Sequence, residues 1–156
     1  NAVSEVVTAG GGNWLDTRMA KLAGQFAGIL LVSVLREMAD ALIASLKQLD
    51  GQGLRLLVEQ SADAPQKSDG ETLSLELVGQ DRPGIVRDLS RALAAIQVSI
   101  VEMETERSAG SFSGEPMFKA RASLQLPAGV SGDKVRKSIE NLANELMVDL
   151  ESDKNR

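Results

Sequence analysis

The sequence predicts an α+β fold built from two copies of one module, each an antiparallel sheet with its helices on one face. Three observations lead to this prediction. Strand and helix patterns follow one another in nearly the same order twice along the 156 residues. Short runs alternate apolar and polar residues, whereas longer runs carry apolar residues at helical spacing. A polar stretch at 61–71, with Pro65 and Gly70, separates the copies and reads as a linker.

The second copy, residues 72–152, is the complete one. Its predicted elements are a strand at 72–78, a helix after the loop at 79–85, strands at 98–107 and 118–126, a helix that begins near 131–133, and a strand at 147–150. The first strand alternates Leu73, Leu75 and Leu77 with polar residues, as expected of a half-buried strand. The order β-α-β-β-α-β is the split βαβ, or ferredoxin-like, plan.

The first copy, residues 1–60, shows the order α-β-β-α-β. Its predicted elements are a helix at 2–9, strands at 13–22 and 26–34, a helix at 37–49 and a strand at 54–60. When the copies are aligned, Phe26 falls on Phe118, and the first strand with its loop has no counterpart. We expect the parent protein to begin about 15 residues earlier, the length of an ordinary strand and loop. A naturally degenerate first copy is the alternative.

The composition narrows the classes of function. The chain has no cysteine, histidine or tyrosine, which excludes disulfides, thiolate or imidazole metal sites and the commonest general base. We therefore expect a protein that is not an enzyme and that uses no cofactor. The net charge of −5 and the scattered basic residues argue against direct binding to nucleic acid. No apolar run reaches the roughly 18 residues of a membrane helix, so we expect a cytoplasmic protein without membrane contact.

The loop between the first strand and helix of the second copy is the candidate ligand site. Backbone N–H groups at a helix start carry the positive end of the helix dipole, so a ligand carboxylate can dock there. Gly79 allows the strand to turn, Gly84 allows close approach to the backbone, and Asp81 can meet an ammonium group. A purely structural turn, with Asp81 or Arg82 as cap and Pro83 in the first helical turn, fits equally. The predicted loop residues are Gly79, Gln80, Asp81, Arg82, Pro83, Gly84 and Ile85.

Three glutamates, Glu102, Glu104 and Glu106, alternate along one predicted strand and therefore share a face. Their oxygens suit a hard cation such as Mg²⁺ or Ca²⁺. Lys119 and Arg121 point outward from the neighbouring strand, and cross-strand charge pairs explain the same pattern. We favour the charge pairs and predict no metal site.

The first copy carries a possible interface on the sheet face that points away from its helices. By alternation, Ala27, Ile29 and Leu31 lie on this face, and Trp14 is predicted to join them. An antiparallel sheet normally shows water one polar face, so an apolar outer face should be covered. The second copy, another subunit or a regulatory partner could supply the cover. The alternative is a central strand that is simply rich in aliphatic residues.

The stretch from Leu75 to Leu93, LELVGQDRPGIVRDLSRAL, resembles the opening of an ACT domain, a small ligand-sensing module. The later stretch from Ser113 to Phe118, SGEPMF, in a tandem pair resembles the glycine cleavage system transcriptional repressor family. The resemblance implies a regulator that senses a small amino acid, such as glycine, and acts through a protein partner such as a transcription regulator. It also implies homo-oligomers, and it places Ser99 where ACT domains often carry a polar ligand contact.

Two other functions fit the same sequence. The chain can be a ligand-free interaction module that works through the apolar face around Trp14, Ile29 and Leu31. It can also be a regulatory fragment of a metabolic enzyme, since formyltetrahydrofolate deformylases carry a module similar to the second copy. Nothing after residue 150 resembles a catalytic domain, which argues against the fragment.

Overall fold

The computed structural model of the protein describes residues 2–61, 70–110, 114–142 and 146–152. The chain divides into two compact units, Asn1–Ala64 and Pro65–Arg156. The predicted linker at 61–71 falls mostly outside the described residues, so its bounds and those of the two predicted modules stay predictions.

Helices and antiparallel strands both occur, as expected of an α+β fold. The first unit contains α1 (Ala2–Ala9), β1 (Asn13–Leu22), β2 (Gln25–Ser33) and α2 (Arg36–Lys47). The second contains β3 (Thr72–Gln80), α3 (Ile85–Ala95), β4 (Ser99–Ala109), β5 (Pro116–Gln125), α4 (Gly132–Glu140) and β6 (Met147–Ser152). The predicted βαββαβ order of the second copy is confirmed.

The sheet of the second unit has the order β4-β5-β3-β6, and every neighbouring pair is antiparallel. The first strand of the module, β3, therefore lies between β5 and β6 and pairs with both. Its register sets Leu73 opposite Leu124 and Gly79 opposite Phe118. This placement makes β3 the strand that joins the last strand, β6, to the rest of the sheet.

The core of the second unit lies between one face of this sheet and its two helices. Alternate residues of β3 and β5 are buried, and so are the facing residues of α3 and α4. The buried residues are Leu73, Leu75, Leu77, Ile85, Leu89, Leu93, Val98, Phe118, Ala120, Ala122, Leu124, Leu126, Val135 and Ile139. Each fully buried aliphatic side chain contributes about 1.5–3 kcal/mol, so this layer supplies most of the driving force for folding.

The two helices of the second unit begin differently. The Ser131 hydroxyl accepts a hydrogen bond from the Lys134 backbone N–H (3.3 Å) and caps α4 where the sequence predicts. By contrast, α3 starts at Ile85, with Gly84 at its N-cap and no side-chain cap bond. The predicted cap by Asp81 or Arg82, with Pro83 in the first turn, is therefore wrong. Gly84 has φ +83°, a left-handed conformation that a right-handed helix cannot include, so the helix begins after it.

In the first unit, β1 and β2 form a two-stranded antiparallel sheet. A Cβ atom added at Gly12 would lie within 3.1 Å of the side chains of Val7, Val32 and Leu42. Both helices therefore pack on the sheet face that carries Val32. Among the described residues of this unit, nothing corresponds to β3, as the sequence predicts.

The predicted strand at 54–60 is wrong. The structure shows only an isolated bridge between Asp50 and Leu54, and the Leu56 N–H donates to Asp50 Oδ1 at 3.1 Å. The physical reason lies in the sheet order, because the corresponding strand of the second unit, β6, pairs only with β3. The described residues of this unit contain no counterpart of β3 with which this segment could pair, and Leu57 is 88% exposed.

Candidate functional site

The candidate loop begins in the sheet. Gly79 lies inside β3 opposite Phe118, so its predicted role in turning the strand is wrong. Gln80 ends the strand, and its Nε2 donates to Glu115 Oε2 at 3.1 Å. The Asp81 backbone N–H then donates to the Pro116 carbonyl at 2.8 Å. The structure thus sets the loop against residues 115–116, and it brings together two stretches that are far apart in the sequence.

The Asp81 carboxylate already has a cationic partner in the structure. Its Oδ2 lies 2.7 Å from Nε of Arg107, near the end of β4. The Asp81 side chain is 23% exposed and that of Arg107 is 70% exposed, so an incoming ammonium group would compete with the guanidinium group for this carboxylate. Sequence reasoning missed Arg107, because only the β4–β5 register shows that it reaches the loop.

The other charged loop residue, Arg82, is also held in an ion pair. Its Nη1 lies 2.8 Å from Asp88 Oδ2, and Nη2 of Arg87 lies 3.0 Å from Asp88 Oδ1. The hydrogen bond from Arg82, followed by that from Arg87, lowers the pKa of Asp88 below its ordinary value of 3.8. These pairs tie the loop to the first turn of α3.

The end of the loop combines a glycine, Gly84, with a buried side chain, Ile85. A Cβ atom added at Gly84 would lie 2.9 Å from Nη2 of Arg87, so a side chain fits at this position only if the end of Arg87 moves. Ile85 is 5% exposed and belongs to the core, whereas Pro83 faces solvent. The backbone at Gly84 is thus partly exposed next to the first turn of α3.

Ser99 does not lie near this loop. It is the first residue of β4 and pairs with Gln125, while Gln80 pairs with Met117 at the other end of β5. Eight positions of an antiparallel strand separate these two ends, or about 27 Å. The predicted contact between Ser99 and a ligand at the loop of the same unit therefore has no geometric support.

The outer face of the first unit differs from the prediction. Ile29 is 79% exposed and Leu31 is 40% exposed, and both face away from the helices together with Ala27. The register sets Trp14 opposite Val32, on the helix side, so its predicted place on the outer face is wrong. A shift in register between Trp14 and Asp16 is the cause, because a bulge reverses the alternation.

The β1 residues that oppose the exposed aliphatic residues are partly polar. Asp16 lies opposite Leu31 and Arg18 opposite Ile29, and Arg18 Nη1 approaches Asp16 Oδ1 at 3.7 Å. Asp16 and Arg18 therefore interrupt the exposed apolar residues of this face on the β1 side, where Leu22, opposite Gln25, is 80% exposed.

The outer face of the second unit is polar and forms an open hollow of about 390 Å³. Glu104 lies opposite Arg121 and Glu106 opposite Lys119, as the predicted charge pairs require. The close ion pairs, however, are formed with Glu76 on β3, the other neighbour of β5. Lys119 Nζ lies 2.8 Å from Glu76 Oε1, and Arg121 Nε lies 3.5 Å from Glu76 Oε2. The hydrogen bond from Lys119 is the main reason that the pKa of Glu76 is lowered. Within the described residues, no acidic group has the arrangement of a metal site.

Comparison with known proteins identifies the module. Residues 71–152, more than half of the chain, match the ACT domain family. The chain belongs to the ACT domain family. The resemblance predicted from the DRPGI loop is thereby confirmed, and no curated protein matches the sequence.

Two solved structures share the fold of this ACT protein over nearly its whole length. An unknown protein from Galdieria sulphuraria is 26% identical, covers 97% of this chain and 88% of its own, and superposes with a TM-score of 0.70. A protein provisionally described as a glycine cleavage system transcriptional repressor is 17% identical, covers 98% and 88%, and has a TM-score of 0.71. The second likeness shows the fold alone.

A third structure is the formyltetrahydrofolate deformylase from Pseudomonas putida KT2440, with 17% identity and a TM-score of 0.44. It covers 55% of this chain and 30% of its own length, which is too weak a likeness to support an argument. Among the described parts of the ACT protein, no helix is long and apolar enough to span a membrane.

Proposed function

We propose that this ACT protein is a non-enzymatic regulator that binds a small amino acid, with glycine as the first candidate, at loop 79–85. The observation that carries the proposal is the backbone at Gly84. This left-handed glycine lies close to the end of the Arg87 side chain and precedes the N-terminal end of α3. A carboxylate is the natural ligand for such an end. Membership of the ACT family supports a regulatory role for the module.

An amino acid has a second charged group, and the loop offers a partner for it. Its ammonium group would take the place of the Arg107 guanidinium at Asp81 Oδ2. Since Arg107 is mostly exposed, the exchange costs little, and the released guanidinium group could pair with the ligand carboxylate. Binding would therefore break the contact between the loop and the end of β4.

The signal would pass through protein–protein contacts, either between copies of this chain in a homo-oligomer or with a protein such as a transcription regulator. Such coupling requires that the ligand bind two arrangements of the modules with different affinity. Control of glycine cleavage is the pathway suggested by the 17% identical repressor-like structure. That part of the proposal rests on a shared fold.

The test is a thermal-shift screen of the full chain against each standard amino acid. A ligand at about 100 times its Kd should add about 2.7 kcal/mol of stability. Gly84→Ala should abolish the shift, because its methyl group occupies the proposed approach. Gly129→Ala is the matched control, since Gly129 has the same φ of +83° but no atom within 4 Å of an added Cβ. The proposal fails if no amino acid shifts the folded protein, or if both variants respond like the parent.

A ligand-free interaction module is the second candidate, and the exposure of Ile29 and Leu31 favours it. In that case the chain should self-associate through β2 without any amino acid. Ile29→Lys should then lower the association constant in analytical ultracentrifugation, with Gln25→Lys at the end of the same strand as control. Equal association of the two variants would count against an interface on this face.

A further inference from the structure

The sheet of the second unit covers its core with one face and carries the hollow of about 390 Å³ on the other. The side chains of this outer face alternate with the buried ones along each strand. Residues of β4, β5, β3 and β6 all line the hollow. Its two sides therefore belong to the opposite edge strands of the sheet, β4 and β6.

Each edge strand carries a row of carboxylates on the outer face. Glu102, Glu104 and Glu106 form the β4 row, and Asp149 and Glu151 form the β6 row. All five side chains belong to exposed residues, and both rows contribute to the lining of the hollow. The hollow is thus acidic along both of its sides.

The cationic side chains between the rows do not neutralise them. Lys119 and Arg121 on β5 both form ion pairs with Glu76 on β3, in the middle of the sheet. Within the described residues, neither row takes part in an ion pair. The excess negative charge of this face therefore lies along its two edges.

One end of this otherwise polar face is apolar. Met147 lies opposite Val78 and is 68% exposed. Met117 is two residues from Lys119, the β5 partner of Val78, and is therefore a diagonal neighbour of Val78. Methionine is flexible and adapts to the shape of a bound apolar side chain. The face thus combines two acidic rows with an apolar corner formed by Val78, Met117 and Met147.

The charges decide against several occupants. Nucleic acid and anionic lipid surfaces would be repelled by the two rows. The same face of a second copy would bring like charges together, which is costly at an interface. Within the described residues, the acidic groups do not have the arrangement of a metal site. A cationic segment of another protein is complementary to the rows.

The dimensions of the face suit a helix. Three strand spacings separate β4 from β6, or about 14 Å, and the β4 row is about 13 Å long. A helix with its side chains is about 10–12 Å wide, and about nine residues cover the length of the row. Lysine and arginine side chains on its two flanks can therefore reach both rows.

We propose that the outer sheet face of the second unit binds a basic amphipathic helix of a protein partner. Lysine or arginine side chains along both flanks of the helix pair with the β4 row and the β6 row. Apolar side chains near one end pack against Val78 and Met147, as in other helix-in-groove contacts. This surface gives the proposed regulator a place for its protein contact, but the inference does not depend on amino-acid binding at loop 79–85.

The test is NMR of the full chain with isotope-labelled methionine methyl groups, titrated with the synthetic peptide KLAQLKAKAAQAKAK and without any amino acid. This peptide has lysines on both flanks of a helix and leucines near one end only. The signals of Met117 and Met147 should shift. Those of Met19 and Met38 in the first unit, and of Met103 on the helix side of β4, should not.

Variants of the rows test the charge contacts. Asp149→Asn with Glu151→Gln removes the charge of the β6 row and should raise the Kd of the peptide about three- to tenfold, because two exposed ion pairs are lost. Glu102→Gln with Glu104→Gln should have a similar effect on the β4 side. Added salt should weaken binding to the parent, since the paired charges are exposed.

The matched control is Asp133→Asn with Glu140→Gln on α4. It removes the same charge from exposed residues on the helix side of the sheet and should leave the Kd unchanged. On the peptide side, replacing both leucines with serine keeps the charge and should weaken binding and reduce the shift of Met147.

Four results would overturn the proposal. The first is the absence of any shift at Met117 and Met147. The second is equal weakening by the α4 control, which would show attraction by net charge alone. The third is the same shifts with spermine at equal affinity, which would show a site for small polycations. The fourth is a shift of these signals with protein concentration in the absence of peptide, which would show that a second copy occupies the face.

Discussion

At the residue scale, Gly84 has both a left-handed backbone conformation and a close neighbour, the guanidinium group of Arg87. Mutation can separate the two effects. Gly84→Ala and Gly129→Ala both force alanine to adopt φ +83°, at a cost of about 1–2 kcal/mol each. The added contact at Gly84 involves the mobile end of Arg87, which can move away. We therefore expect nearly equal losses of stability in urea unfolding. A much larger loss at Gly84 would mean that the guanidinium group of Arg87 cannot shift.

Asp81 illustrates a residue whose removal should affect binding more than folding. Asp81→Asn breaks the contact with Arg107, a pair with one largely exposed partner, so unfolding free energy should fall by no more than about 1 kcal/mol. Amino-acid binding measured by calorimetry should weaken far more. Arg107→Gln, which removes the cation and leaves the carboxylate, is the informative counterpart because it should not weaken the ammonium contact. If both variants bind the amino acid as tightly as the parent, Asp81 is not part of the site.

Asp88 should make the second unit sensitive to acid. Its folded-state pKa is depressed by Arg82 and Arg87, so its contribution to stability is present above the ordinary pKa of 3.8 and is lost as pH falls through the lower folded value. Asp88→Asn should therefore lower the urea midpoint at neutral pH, and its difference from the parent should vanish in acid. Midpoints measured from neutral pH downward test this, and a difference independent of pH would contradict it.

At the element scale, the segment at 54–60 and β6 occupy the same place in the repeat but should respond differently to proline. The Val148 carbonyl accepts a hydrogen bond from Arg136, so the N–H of the next residue, Asp149, faces β3. Asp149→Pro should then remove a ladder hydrogen bond and cost about 1–3 kcal/mol. Leu57→Pro should change stability by no more than about 0.5 kcal/mol. Thermal unfolding of both variants tests this, and equal losses would show that Leu57 is paired.

The elements of the second unit could be predicted because each carries its own local signal. Alternating leucines mark β3, helical spacing marks α3, and Ser131 caps α4. The strand at 54–60 was predicted from equally good local residues and was wrong, because a strand also needs a neighbour. Its neighbour depends on sheet order, which no local pattern contains.

Side-chain placement in the candidate site was harder to predict than the elements. The bulge near Trp14 reverses which face later residues occupy, and nothing in the local sequence marks it. The partner of Asp81 and the distance of Ser99 both follow from the register of β4 against β5. The loop itself was found because glycine and proline leave a local signal, but its ion pairs are formed by residues from other elements.

At the scale of the whole molecule, the two units differ in how much apolar surface they bury. Among the described residues, Val7, Ala39 and Leu42 are the buried apolar residues of the first unit, and all other members of the buried core belong to the second. Within the described residues, β2 pairs with β1 alone, which adds to this imbalance. Each unit should therefore open with its own free energy.

We expect hydrogen exchange of the full chain to show that the first unit opens at a lower free energy than the second. Amides of β1 and β2 should exchange at lower denaturant concentration than those of β3 and β5, because fewer buried contacts hold the two-stranded sheet. Mass spectrometry of peptic fragments across a urea series makes the measurement. Simultaneous exchange in both sheets would show that the units unfold as one cooperative body.

Trp14 is the only tryptophan of the chain, and there is no tyrosine. It lies on β1, so the tryptophan emission of this protein comes from the first unit. A fluorescence melt would follow that unit and be blind to the unfolding of the other. Conversely, an amino acid bound at loop 79–85 could change the emission only through an effect of the second unit on the first. The emission wavelength of Trp14 would then report coupling between the two repeats.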